Sequence, residues 1–242
     1  MKRLSRSDIR KINMDNDILT MIRKMGKLSK FDLSKLCGYS ISTTITVIEK
    51  LFAEQKIINM GSENLTVGRP AVYYSINPSA GFFIGIEIYQ SGLICTAMDY
   101  ICANKMTIEK NICQVEVTPE YLTATIIEVV NEMLKNLPAG QPGKQPNIMG
   151  IGLSIPAIID NNSGQVVHSK QFPLLNGHSI TKAIEEHFSV PFFIDDVVNS
   201  MCLACKWINF ENVQNNFALL YVRRGIRVSY IYNLNFRTSI TA

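Results

Sequence analysis

Hydrophobic and polar positions follow two rhythms along this chain. Over residues 13–25, Ile18, Leu19, Ile22 and Met25 recur at spacings of three and four, which predicts a helix with one apolar face, closed by Gly26. Ser29 then stands as an N-cap for a short helix over 30–36, with Asp32 at its electropositive end. Cys37-Gly38-Tyr39 makes a turn, and Ser40 caps a third helix over 41–54. Its inward stripe is expected to be Ile41, Thr44, Ile48, Leu51 and Phe52. Past residue 56 the pattern changes to short β-rich runs, Ile57-Ile58-Asn59-Met60 and Ala71 to Ile76, separated by a polar stretch that ends in Gly68-Arg69-Pro70.

The rest of the chain alternates between the two rhythms. Apolar, β-rich runs over 82–88 and 92–99 predict a hairpin, and 101–117 supplies a third strand region. Residues 119–137 have helical spacing through Tyr121, Leu122, Ile126, Val129, Val130 and Met133. A buried strand follows over 147–153, then a helix over 180–188, a short strand over 191–194 and a helix over 199–210. Runs at 216–222 and 228–233 form one more strand pair. Three strands, a helix, a strand, a helix, a strand and a helix describe a ribonuclease-H-like lobe, a mixed α/β architecture.

Charge separates the two regions. Residues 1–80 hold 13 Lys and Arg against 7 Asp and Glu, a balance of +6, whereas residues 81–242 hold 11 against 13, a balance of −2. A basic head on a slightly acidic body is the electrostatic footprint of nucleic-acid binding by the head. Two helices joined by a Gly-containing turn are the helix-turn-helix layout, and a β-ribbon behind them is a wing. The expected DNA contacts are Ser40, Ser42, Thr43 and Thr46 at the start of the third helix, Lys50 toward a phosphate, and Arg69 from the wing into a narrow minor groove. The helix has no arginine near its start, so strong reading of guanine is not evident.

Other features change the picture less. Hydrophobic residues make up 47 % and charged residues 18 %, a globular composition. No apolar run reaches the ~18 residues of a membrane span, and MKRLSRSDIRKINMDN lacks a signal-peptide core, so the expected compartment is the cytoplasm. The 6 cysteines do not space as a disulfide framework. Cys202-Leu-Ala-Cys205 is a lone pair without the further ligands a zinc site needs, and core packing is the expected role. His168, His178 and His187 have no partners at ligand spacing, and Ser154 lies in Leu-Ser-Ile-Pro rather than a nucleophile elbow. No metal, cofactor or catalytic residue is expected.

Three longer segments carry a family resemblance. VGRPAVYYSINPSAGFFIGIEI resembles the join between winged helix and actin-like domain in the regulator branch of the ROK family (repressor, open reading frame, kinase). IMGIGLSIPAIIDNNSGQVV resembles the family's strand and Pro-Gly loop, and PFFIDDVVNSMCLACKW the stretch around its catalytic aspartate. The resemblance implies a winged helix-turn-helix over 1–76 and a partial actin-like, sugar-binding domain over 77–242. Its first lobe would run over about 80–210, and a truncated second lobe would start from about 214. It implies a sugar-responsive repressor of carbohydrate-utilisation genes acting on a double-stranded DNA operator. A sugar or sugar phosphate would be the effector, and an intact body would form a homo-oligomer. Asn176, Gly177 and Asp196 are the positions it suggests for sugar contact.

The same resemblance argues against phosphoryl transfer. The first phosphate loop of the family's kinases reads roughly Asp-x-Gly-x-Thr, and here it is Glu87-Ile88-Tyr89-Gln90-Ser91. The second, Gly-Thr-Gly-Ile-Gly, is Arg223-Arg224-Gly225-Ile226-Arg227. The stretch Glu-Asn-Asp-Ala-Asn becomes Asp195-Asp196-Val197-Val198-Asn199, so the general base falls on a valine that accepts no proton. The alternatives are a ROK sugar kinase or a DNA-binding remnant without ligand sensing. The family's zinc-binding cysteines and its Glu-x-Gly-His motif belong further along than Ala242, so a shortened second lobe with exposed strand edges is expected.

Overall fold

The computed structural model describes residues 6–63, 71–103, 105–112, 116–138, 146–208, 216–222, 226–232 and 235–241. The chain divides into two compact units, Met1–Gly81 with Asp99–Asn104, and Phe82–Met98 with Lys105–Ala242.

In the first unit, α1 (Arg6–Met25) is followed by β1 (Leu28–Ser29), α2 (Lys30–Cys37), α3 (Ile41–Ala53), β2 (Ile57–Glu63) and β3 (Ala71–Ile76). α1 starts well before residue 13: its first seven residues hold only Ile9 and Ile12 among polar and charged side chains, too few to mark an apolar face. Ile18, Leu19 and Ile22 are buried as their spacing predicts. Met25 is not: it is 58 % exposed where the chain leaves the helix, and Gly26, at φ +84°, takes the turn that other residues resist. Ser29 and Asp32 form a reciprocal capping box at the head of α2. Gly38 closes α2 in the left-handed region, and Ser40 opens α3 in extended conformation with its side chain on the Thr43 N–H. Thr44, Val47, Ile48 and Leu51 bury one face of α3, whereas Ile41 and Phe52, expected inside, stand 36 % and 50 % exposed at the two ends of the helix. The strand order β1-β3-β2 is antiparallel throughout, with a register irregularity between Asn59 and Ser62.

In the second unit, β4 (Phe82–Tyr89), β5 (Gly92–Asp99) and β6 (Lys105–Asn111) precede α4 (Pro119–Asn136), and β7 (Ile148–Ile155) leads into the hairpin β8 (Ile158–Asp160) and β9 (Gln165–His168). Then come α5 (Thr181–Phe188), β10 (Phe192–Asp196), α6 (Val197–Ile208), β11 (Phe217–Val222), β12 (Ile226–Tyr232) and β13 (Asn235–Thr241). The main sheet has the order β10-β7-β4-β5-β6, with β7 parallel to both β4 and β10. Its core is built from Ile84, Ile86 and Ile88 of β4, Ile151, Leu153 and Ile155 of β7, and the α4 stripe Leu122, Ile126, Val129, Val130 and Met133. Cys95 lies in this core, and burial pushes its thiol up to about 12. β11, β12 and β13 form a separate antiparallel sheet.

Further elements differ from the sequence expectation. β6 starts only at Lys105, because the Asp99 carboxylate accepts the Ile101 and Ala103 N–H groups and bends the segment into a turn. The hairpin β8–β9 and the strand β13 are additions, too short or too polar to show a rhythm. Among the described residues, no helix is long and apolar enough to cross a membrane, and no group of three His, Cys, Asp or Glu could hold a metal. Cys202 is buried on α6 and Cys205 half-buried one turn on, both as free thiols.

Candidate functional site

Two constellations carry the candidate chemistry, one in each unit. In the first, the capping of α3 organises its polar start. Ser40 Oγ accepts the Thr43 N–H at 3.2 Å and lies 2.8 Å from Thr43 Oγ1 and 2.9 Å from Ser42 Oγ. Thr46 Oγ1 donates to the Ser42 carbonyl at 3.2 Å. Ser40, Ser42 and Thr46 are exposed and Thr43 is half-buried, so the expected face does point outward. The turn before it is anchored from both sides: Ser34 Oγ donates to the Tyr39 carbonyl at 2.7 Å, and the Tyr39 hydroxyl donates to Asp17 of α1.

Lys50 carries bonds that the sequence does not signal. Its ammonium, on a side chain 46 % exposed, is bound by Asp15 of α1, with Glu54 3.8 Å away, so the group expected to meet a phosphate already has carboxylate partners. Asp15 is only 9 % exposed, and its hydrogen bond is the main cause that raises the Lys50 pKa. No sequence signal couples residues so far apart; only the packing of α1 against α3 does. Arg69 lies outside the described residues.

In the second unit, polar residues gather where parallel strands end. Glu87, Ser154 and Asp195 are direct neighbours across β4, β7 and β10, and so share one face of the sheet. Asp196, one residue on, takes the opposite face with buried Ile194 and is itself 4 % exposed. Arg227 Nη1 of β12 donates to Asp196 Oδ2 at 2.6 Å, and the Val198 N–H donates to Asp196 Oδ1 at 2.8 Å. The carboxylate suggested for sugar contact is therefore engaged by the protein itself. Asp195 Oδ1 accepts from Asn199 Nδ2 at 2.8 Å and from the Asp196 N–H at 2.7 Å. Burial raises the pKa of both aspartates, against the lowering effect of these bonds and, for Asp196, of Arg227. The sequence marks Arg227 as a cation but gives no sign that it faces Asp196.

The remaining predicted positions are structural in their bonds. Asn176 Oδ1 accepts the Ser169 N–H at 2.7 Å, and Gly177, at φ +79°, donates its N–H to the Val166 carbonyl at 2.7 Å. The pair forms the turn that packs the loop after β9. Val197, where the family's base would stand, is buried at the start of α6. The turn after β4 is closed by Tyr89: a Cβ on Gly92 would meet the Tyr89 hydroxyl at 2.6 Å and the Lys110 carbonyl at 2.7 Å. His178 Nδ1 is 3.0 Å from the Asn176 carbonyl oxygen.

A mixed α/β body with polar residues at the ends of its parallel strands, following a small helical unit in the sequence, defines the class. The ROK family profile matches residues 98–239, more than half of the sequence, and the chain belongs to the ROK family. It is 26 % identical over 231 residues to the xylose repressor of Bacillus spizizenii, covering 93 % of this chain and 56 % of that protein. The crystal structure of a ROK family transcriptional regulator, a homolog of the E. coli MLC protein, superposes with a TM-score of 0.77 at 17 % identity, covering 95 % of this chain and 56 % of that one. A ROK hexokinase from Thermus thermophilus shares the fold with a TM-score of 0.52 at 16 % identity, over 64 % of this chain and 48 % of the enzyme. The chain thus spans about half the length of the curated relatives it matches.

Proposed function

We propose that this chain is a DNA-binding transcriptional regulator, a sugar-responsive repressor of carbohydrate-utilisation genes, and not an enzyme. The observation that carries the reading is the α2–turn–α3 unit. Two capped helices meet at Gly38, α3 presents Ser42 and Thr46 outward, and the surrounding 80 residues hold a balance of +6. With β2 and β3 behind it, this unit is read as a winged helix-turn-helix in which α3 enters the major groove, and Arg69, outside the described residues, is the candidate minor-groove contact. The likeness to a xylose repressor supports the same role. The sugar site is assigned to the second unit, around the polar strand ends. Effector binding there would shift the population of a conformer whose heads fit the operator.

The ROK kinases that share the fold favour the alternative, a sugar kinase. The missing base at Val197, the turn closed by Tyr89 and the Asp196–Arg227 pair weigh against it. The test is a salt titration of the full chain on DNA from around its own gene against random DNA of equal length. A steep salt slope with clear preference for the native DNA is expected. Equal, weak binding to both would defeat the reading.

A further inference from the structure

α3 has the composition of a helix that reads bases without the usual reading groups. Its sequence, ISTTITVIEKLFA, contains no arginine, asparagine or glutamine, the side chains that recognise guanine or adenine through paired hydrogen bonds. Its single cation, Lys50, is bound to Asp15. The hydroxyls at its start are turned on one another: Ser42 Oγ and Thr43 Oγ1 both lie on Ser40 Oγ, and Thr46 Oγ1 is spent on the Ser42 carbonyl. At 3.6 residues per turn, Ser42 and Thr46 share the outward side of the helix, and Ile41 stands in its first turn about 100° round from Ser42. Ile41 is 36 % exposed at the start of the helix, and Thr46 is exposed with its hydroxyl donated to the Ser42 carbonyl, so its methyl is the part of that side chain without a bond. An exposed isoleucine in the first turn and a threonine methyl about one and a half turns on give apolar surface at the end of the helix where base edges are met. The major groove offers one apolar group to such a surface, the C5-methyl of thymine.

We propose that Ile41 and Thr46 are the specificity-determining residues of α3, and that they read thymine methyl groups, so that the bases beneath this helix are A·T pairs. The proposal rests on the DNA-binding reading. Phosphate contacts elsewhere on the basic unit supply affinity, and the apolar pair supplies discrimination.

The experiment is selection of duplexes from a random pool by the full chain, followed by replacement of each thymine of the selected site, in turn, with deoxyuridine. Deoxyuridine keeps base pairing and removes only the methyl. Enrichment of thymine blocks is expected, with affinity about fourfold weaker for each critical methyl removed, the effect of losing one buried carbon. The Ile41→Ala chain, truncated at an exposed position, should still bind and should lose that sensitivity at one or more thymines. A selected site that deoxyuridine leaves unaffected, or whose sensitivity in the Ile41→Ala and Thr46→Ser chains stays as in the parent, would overturn the assignment while leaving a DNA-binding regulator. Failure to enrich any sequence would overturn the regulator reading, and the assignment with it.

Discussion

Single residues decide whether a charge in this protein is available or spent. Asp196 and Arg227 form a largely buried pair, and the cost of a buried charge depends on keeping its partner. Arg227→Met should destabilise the chain by about 3 kcal/mol in urea denaturation, and adding Asp196→Asn should recover most of the loss. A single substitution that leaves the midpoint unchanged would show the pair to be dispensable. Asp195 tests the sign of a burial effect. Its pKa is raised above the ordinary 3.8, so its favourable contribution is complete below that value and is lost as pH rises through the raised one. Asp195→Asn keeps an oxygen for the Asn199 and Asp196 donors and carries no charge. The variant should be more stable than the parent near neutrality, and their urea midpoints should converge toward about pH 4. A gap that stays constant with pH would refute this.

At the scale of elements, helix signals were legible where they were local. Ser29, Gly38 and Ser40 mark the boundaries of α2 and α3 because a cap needs only its own neighbours in sequence. The inward face of α3 was read with less success at its ends: Ile41 and Phe52 have the right spacing, but they stand at the two ends of the helix and stay exposed. The Lys50–Asp15 pair belongs to this scale, since it joins α3 to α1. Lys50→Ala should cost about 1 kcal/mol of stability, because Asp15 loses the group that satisfies it, tempered by the exposure of the lysine. The salt slope of DNA binding should stay the same within one ion in the same variant. A slope lower by a full ion would return Lys50 to the phosphate contacts.

At the scale of the whole molecule, the body keeps the ROK fold, and the proposed function gives it no sugar-kinase chemistry. Incubated with ATP and a panel of free sugars, the purified chain should give no sugar phosphate above a protein-free control, because position 197 cannot take a proton. Product that rises with protein purity would reverse that expectation. The parallel arrangement of β4, β7 and β10 follows from runs of apolar residues separated by helices, and those runs were visible in order. The hairpin β8–β9 and strand β13 were not, since a strand of three or four residues, or a polar one, is held by its pairing rather than by a pattern. By itself the sequence determined the order of the longer elements, the capped pair of helices and the basic head, since each is local or additive along the chain. Only the tertiary structure decided that Lys50 belongs to Asp15, that Asp196 belongs to Arg227, and that Ile41 faces outward. Those facts depend on which distant residues meet, and no spacing within a segment encodes that.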